Sequence, residues 1–153
     1  MLRTSIATVA AAAVTAMIVI PIRKLSRSPE GGAVFIQHSG DLRLFMPRSR
    51  KEEAWFKGVS INAGMTEELI FRGYLIWYLL HFLPIAWAAT CATLLFGLAH
   101  CYQGLKQLPA IILVSAVATG LYVYTQSLLV PVLFHIVLDA LQGHYIARIQ
   151  RNE

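Results

Sequence analysis

Residues 64–75 read GMTEELIFRGYL. Glu67, Glu68 and Arg72 fall within six positions of a segment that is otherwise apolar on both sides. Moving outward, the charge-free surroundings are extensive. Residues 73–105 hold no aspartate, glutamate, lysine or arginine, only His81 and His100; residues 107–138 hold only His135; residues 4–22 hold no charge. The 153-residue chain is 57% hydrophobic and 14% charged, with mean hydropathy +0.60, whereas a soluble domain carries about 25% charged residues. A helix needs about 20 mostly apolar residues to cross a bilayer, and these runs supply several. The composition predicts an all-α, polytopic transmembrane helix bundle.

Five spans are expected: residues 4–22, 59–80, 85–103, 108–126 and 127–147. Pro84 separates the second from the third and Pro109 opens the fourth, because proline ends or kinks a helix at the preceding residue. Arg3 ahead of an apolar run also fits a signal peptide. That run is 19 residues long and ends in IVIPIRKL without a small-residue cleavage site, which favours a retained span.

Lysine and arginine placement sets the orientation. Loop 23–57 carries eight of them (Arg23, Lys24, Arg27, Arg43, Arg48, Arg50, Lys51 and Lys57), and only Arg3 precedes the first span. With that loop in the cytoplasm, Lys106, Arg148 and Arg151 fall on the same side, and the short connections near 81–84 and 126–128 face outward without a basic residue. The amino terminus is then outside and the carboxyl terminus inside. A net charge of +5 is accounted for by anionic lipid beside the cytoplasmic leaflet and calls for no nucleic-acid partner. Within the loop, 26–32 (SRSPEGG) reads as a flexible link, and 33–45 fits either a hairpin or an interfacial segment. PRSRKEEAWFKG from Pro47 reads as an amphipathic helix on the membrane surface, with Pro47 at its first position and Trp55 and Phe56 at headgroup level.

A charge at the centre of a membrane helix costs about 2.5–3.5 kcal/mol on insertion scales. Glu68 and Arg72 are four apart with the acid on the amino-terminal side, the favourable order for an intrahelical pair. A structural salt bridge therefore covers two of the three charges. Glu67 points about 100° away and needs another partner or a water-filled cavity. Partners exist: His100 ends FGLAH (96–100), and His135 and Asp139 lie one turn apart in HIVLD (135–139). With span two running outward and span five inward, all of these reach the cytoplasmic half of one bundle. Singly, each intramembrane histidine is as well explained by a helix–helix hydrogen bond; their joint occurrence favours a site. His81 and His144 sit at span ends, as interfacial groups, and His38 in the polar loop.

EELIFR, FGLAH and HIVLD together resemble the EExxxR, FxxxH and HxxxN/D motifs of the CAAX protease and bacteriocin-processing (CPBP, or Abi) family, in order and spacing, over residues 47–147. The division expected from this resemblance is an N-terminal span and polar loop (1–46) and an intramembrane protease core (47–153). The resemblance implies a polytopic intramembrane endopeptidase of glutamic type acting on a membrane-associated or lipidated protein or peptide precursor. Glu67 would be the general base and His100 would position the water. His135 and Asp139 would bind the oxyanion, with Glu68 and Arg72 supporting. Asparagine is common where this chain has Asp139; an ionised aspartate cannot donate to an oxyanion, so Asp139 must either stay protonated or orient His135. The chain is also short for the family, so substrate-guiding helices are expected to be either missing or supplied by a partner or a second copy (a homo-oligomer).

No cofactor is expected. Two histidines with carboxylates leave zinc as the alternative, but HExxH is absent and the histidines lie on different helices. Cys91 and Cys101 read as packing residues rather than a redox pair. The rivals from another class are a proton-linked carrier, since intramembrane acids and histidines suit relays, and a non-enzymatic immunity or scaffold subunit. A carrier would more often show a repeat across two halves, and none is visible. The expected location is a bacterial inner or plasma membrane, with the site in its cytoplasmic half.

Overall fold

The computed structural model describes residues 2–25, Arg27, Glu30 and 42–151. Every regular element among them is helical: α1 (Leu2–Leu25), α2 (Leu42–Phe45), α3 (Arg50–Glu68), a π-helical stretch (Leu69–Leu75), α4 (Ile76–Leu79), α5 (Ile85–Ala99), a 3₁₀ turn (Cys101–Gln103), α6 (Leu108–Thr125) and α7 (Leu129–Arg151). His38, most of the 26–32 link and the first part of 33–45 lie outside the described residues; 42–45 is helix.

Among the described residues, α6 and α7 are long and apolar enough to cross a membrane, and α5 is a shorter apolar helix. Their outer faces leave large side chains uncovered, such as Leu113 at 55% and Leu133 at 52% exposure. In water such faces would associate; in lipid they are solvated. The inner faces close the bundle. Ala11 and Val19 of α1 pack with Ala118 and Leu121 of α6 and with Phe134 and Leu138 of α7. α1 therefore contributes to the same core as α6 and α7.

Three expectations about helix limits are corrected. Pro47 is not the first helical position: α3 begins at Arg50, and Ser49 is its N-cap. Ser49 Oγ accepts from the Glu52 amide at 3.2 Å while the Glu52 carboxylate accepts from the Arg48 amide at 2.9 Å, a capping-box exchange that satisfies helix-end donors. The surface helix and the second expected span also form one uninterrupted helical run from Arg50 to Leu79, passing through the π stretch. The third span is shorter than 85–103, because α5 ends at Ala99. The reason is local. The His100 amide bonds back to Gly97 at 3.0 Å, which leaves the Phe96 carbonyl without its helical donor, and His100 Nδ1 takes that place at 2.8 Å. The His100 side chain thus caps its own helix.

Close approach of α3 and α7 rests on small residues. A Cβ on Gly64 would lie 2.5 Å from Ile136 Cγ1 and 3.2 Å from the Ile136 backbone nitrogen. Gly143 of α7 receives the Phe56 ring of α3 in the same way. Such small-residue contacts are how membrane helices bring backbones together, and Ile136 is the neighbour of His135. The ends of the two helices are tied by charge. Glu53 accepts from His144 Nδ1 at 2.6 Å and from Arg151 at 3.0 Å. His144 is therefore a partner of α3 and not merely an interfacial residue.

Gly64→Ala should lower the thermal midpoint in detergent, since overpacking against fixed backbone costs about 1–3 kcal/mol. Gly58→Ala, with nothing within 4 Å of its Cβ, should leave stability unchanged or raise it by up to about 1 kcal/mol. The hydrogen bond from His144, joined by that from Arg151 and opposed by partial burial, holds the Glu53 carboxyl below the usual glutamate value of 4.5. A depressed folded-state value contributes stability above the unfolded pKa that is lost as pH falls through the folded one. The gap in thermal midpoint between the wild type and Glu53→Gln should accordingly be present at neutral pH and close on acidification below 4.5.

Candidate active site

Arg72, 1% exposed, stands at the middle of the π stretch. Its Nη1 donates to Glu68 Oε1 at 2.9 Å, its Nη2 to Ser115 Oγ at 2.7 Å and to the Ser115 carbonyl at 2.9 Å, and its Nε to Thr119 Oγ1 at 3.3 Å. The guanidinium carbon lies 4.6 Å from the centre of the Phe96 ring, within range of a cation–π contact. Thr93 Oγ1 continues the network from α5, donating to Thr119 at 3.1 Å. The pair expected from i,i+4 spacing is present, and it is anchored on three helices.

Glu68 reaches further. Its Oε1 also accepts from His135 Nδ1 at 2.8 Å, so Glu68 links the arginine to α7 as well as pairing within its own helix. A carboxylate at Nδ1 fixes the ring orientation and turns Nε2 toward Glu67, 3.9 Å away. His100 is fixed in parallel: Nδ1 donates to the Phe96 carbonyl, the ring stacks on Phe96 with centroids 4.3 Å apart, and Nε2 lies 3.4 Å from Glu67 Oε2. Asp139 Oδ2 is 3.5 Å from His135 Nε2.

The structure therefore brings Glu67, Glu68, Arg72, His100, His135 and Asp139 into one cluster. Arg72 serves Glu68, and Glu67 faces the two imidazoles. Glu67 is the more open acid, 28% exposed against 1% for Glu68, yet its Oε2 is buried and accepts no hydrogen bond. All six residues line one cavity of about 470 Å³ whose walls are mainly apolar. Among the described residues, no group of three or more histidine, cysteine, aspartate and glutamate side chains is disposed to hold a metal ion. Cys91 and Cys101 are both free thiols, and among the described residues the His81 ring bonds to the carbonyls of Trp77 and Tyr78 in its own turn.

Sequence reasoning missed the supporting shell. Ser115 and Thr119 are a polar pair four apart in an otherwise apolar span, which is the one signal that could have exposed them as the receivers of a buried arginine. Nothing in FGLAH signals that the Phe96 ring carries both the His100 imidazole and the Arg72 guanidinium. The amides of Gln103, Gln107 and Gln142, which also line the cavity, had no sequence signal.

A family model described as Rce1-like, type II CAAX prenyl endopeptidase, matches residues 51–141. That range begins in the first turn of α3, ends just past Asp139, and contains every member of the cluster. No curated protein and no solved structure matched the chain. A helical membrane bundle with this match falls in the class of membrane-embedded CAAX-type proteases. The chain belongs to the Rce1-like family.

Removing Arg72 should be the most damaging single change in the cluster. Breaking a buried pair strands the other charge and costs about 3–5 kcal/mol. Arg72→Met alone should therefore unfold the protein at a markedly lower temperature in detergent. The double variant Glu68→Gln with Arg72→Met should recover part of that loss.

Proposed function

We propose that the protein hydrolyses a peptide bond in a prenylated, CAAX-ending protein or peptide, using Glu67 to activate water without a metal. The observation that carries this is the Glu67 carboxylate, 28% exposed on the cavity and facing His100 Nε2 at 3.4 Å and His135 Nε2 at 3.9 Å, where Glu68 is closed off. His100 gives its Nδ1 hydrogen to Phe96, so in the neutral ring Nε2 is an acceptor. The open side of the Glu67 carboxylate and His100 Nε2 are then two acceptors for the two hydrogens of one water, leaving an oxygen lone pair free for a carbonyl carbon. Attack transfers a proton to Glu67 and places negative charge on the former carbonyl oxygen. Collapse breaks the C–N bond, and Glu67 returns the proton to the leaving amine.

His135 would face the oxyanion through Nε2. Carboxylates flank both of its nitrogens, Glu68 at Nδ1 and Asp139 at Nε2, which supports a ring carrying both hydrogens. Asp139 then acts by holding His135 as a donor, the second of the two roles open to it, and donors aimed at a developing oxyanion supply a large part of the rate. We further infer five spans, with the amino terminus outside and the site in the cytoplasmic half of a plasma or bacterial inner membrane. The eight basic residues of 23–57 support this topology.

The test is turnover of a quenched, prenylated CAAX-ending peptide by the protein in nanodiscs. Glu67→Gln should lower kcat by about 10²- to 10⁴-fold, the range for losing a general base, with the thermal midpoint retained. A chelator should leave wild-type turnover unchanged; chelator-sensitive turnover would replace glutamate catalysis with a metal mechanism. Equal turnover by wild type and Glu67→Gln would remove Glu67 as the base.

A further inference from the structure

An extended peptide drawn into an apolar cavity must hydrogen-bond its own amides, because an unsatisfied buried amide costs about 1–3 kcal/mol by mutational measures. Many peptide-binding proteins meet this need with the edge of a β-sheet. Here the walls are helices, whose backbone groups are spent within their own turns, and no strand exists among the described residues. Neutral side chains that both donate and accept must do that work.

The cavity holds such side chains. Gln107 and Gln142 are half-buried on its lining, and neither side chain has a hydrogen bond or other polar partner among the described residues. Gln103 is a third, already engaged with the Tyr102 hydroxyl at 3.3 Å. Their placement is regular. Gln107 follows His100 by seven residues, and Gln142 follows His135 by seven. On α7 a seven-residue step is two turns, so Gln142 lies on the His135–Asp139 face about 10 Å along the axis. An extended chain advances about 3.3 Å per residue, which puts Gln142 about three residues from the bond held at His135.

We propose that Gln142 and Gln107 are positioning residues that hydrogen-bond the main chain of the peptide substrate on either wall of the cavity, Gln142 about three residues from the scissile bond. An amide suits this better than an acid or base. It satisfies N–H and C=O alike and adds no charge to a site that already holds Glu67, Glu68 and Asp139 against Arg72. The inference rests on the proteolytic reading of the cavity, but concerns binding, which can be measured without catalysis.

The experiment uses the full chain in nanodiscs and a prenylated CAAX-ending peptide, alongside a series of that peptide N-methylated at one amide at a time. Gln142→Leu and Gln107→Leu should each raise KM roughly three- to tenfold, the worth of one hydrogen bond. Their kcat should stay within about twofold, as expected when binding is lost equally from ground and transition states. One N-methyl position, about three residues from the cleaved bond, should weaken the wild type and leave Gln142→Leu unaffected. Peptide binding by fluorescence polarisation, measured in the Glu67→Gln background, should weaken by the same factor on adding Gln142→Leu. Glutamine-dependent binding without wild-type cleavage would sink the hydrolytic reading and sustain this one. Unchanged KM and binding in both leucine variants, a loss confined to kcat, or no binding of the peptide would overturn it.

Discussion

The structure depends on one buried ion pair. Arg72 and Glu68 are each 1% exposed, in a setting where a lone charge is among the most expensive groups a helix can carry. Pairs of this kind are weak sources of net stability, because desolvation offsets most of the attraction. What they impose is geometry. The guanidinium has five hydrogens in a rigid fork, and Ser115, Thr119 and Glu68 receive four of them only when α6 and the α3–π segment stand in one relative position. Thr93 extends the requirement to α5, and His135 extends it to α7.

That requirement also isolates Glu67. Adjacent residues on a helix diverge by about 100°, so fixing Glu68 toward Arg72 turns Glu67 away from the only guanidinium in the cluster. Its neighbours become the Nε2 atoms of two histidines, each held from behind through Nδ1. Backing a ring nitrogen with a fixed acceptor is a general means of aiming the other nitrogen. The π stretch begins one residue after Glu68, and π turns inside α-helices are found frequently at functional sites. The Gly64 contact with Ile136 lets α7 come close enough for Glu68 to reach His135.

The charged residues were legible in the sequence because they are expensive where they stand. Glu67, Glu68 and Arg72 in an apolar run demand partners, and two apolar segments further on carry one histidine each in the region that matters. The i,i+4 rule gave the Glu68–Arg72 pair directly. The hydrogen bond between Glu68 and His135 was not legible, because it joins residues 67 positions apart and no periodicity reports which acid a distant imidazole will choose. The end of α5 at Ala99 was invisible for a similar reason: hydropathy continues through Cys101 and Tyr102, while the break is set by a side-chain cap. Gln107 and Gln142 escaped notice because an amide in a loop or near the end of a span looks like ordinary solvation until a cavity is seen beside it.

Charge balance gives Asp139 a reason to differ from the asparagine common at its position. Three carboxylates surround His135, at 2.8 Å (Glu68), 3.5 Å (Asp139) and 3.9 Å (Glu67), and Arg72 is the one fixed cation among them. Three carboxyl groups beside one guanidinium in a poorly solvated place are tolerated only where their oxygens find donors. In the proposed reaction His135 supplies such donors, with a hydrogen on each nitrogen. An asparagine would remove one of the carboxylates that face the ring nitrogens. In the proposed reaction, the oxyanion that forms would take up the Nε2 hydrogen bond in competition with Asp139, so the aspartate prepares the donor that the transition state then uses.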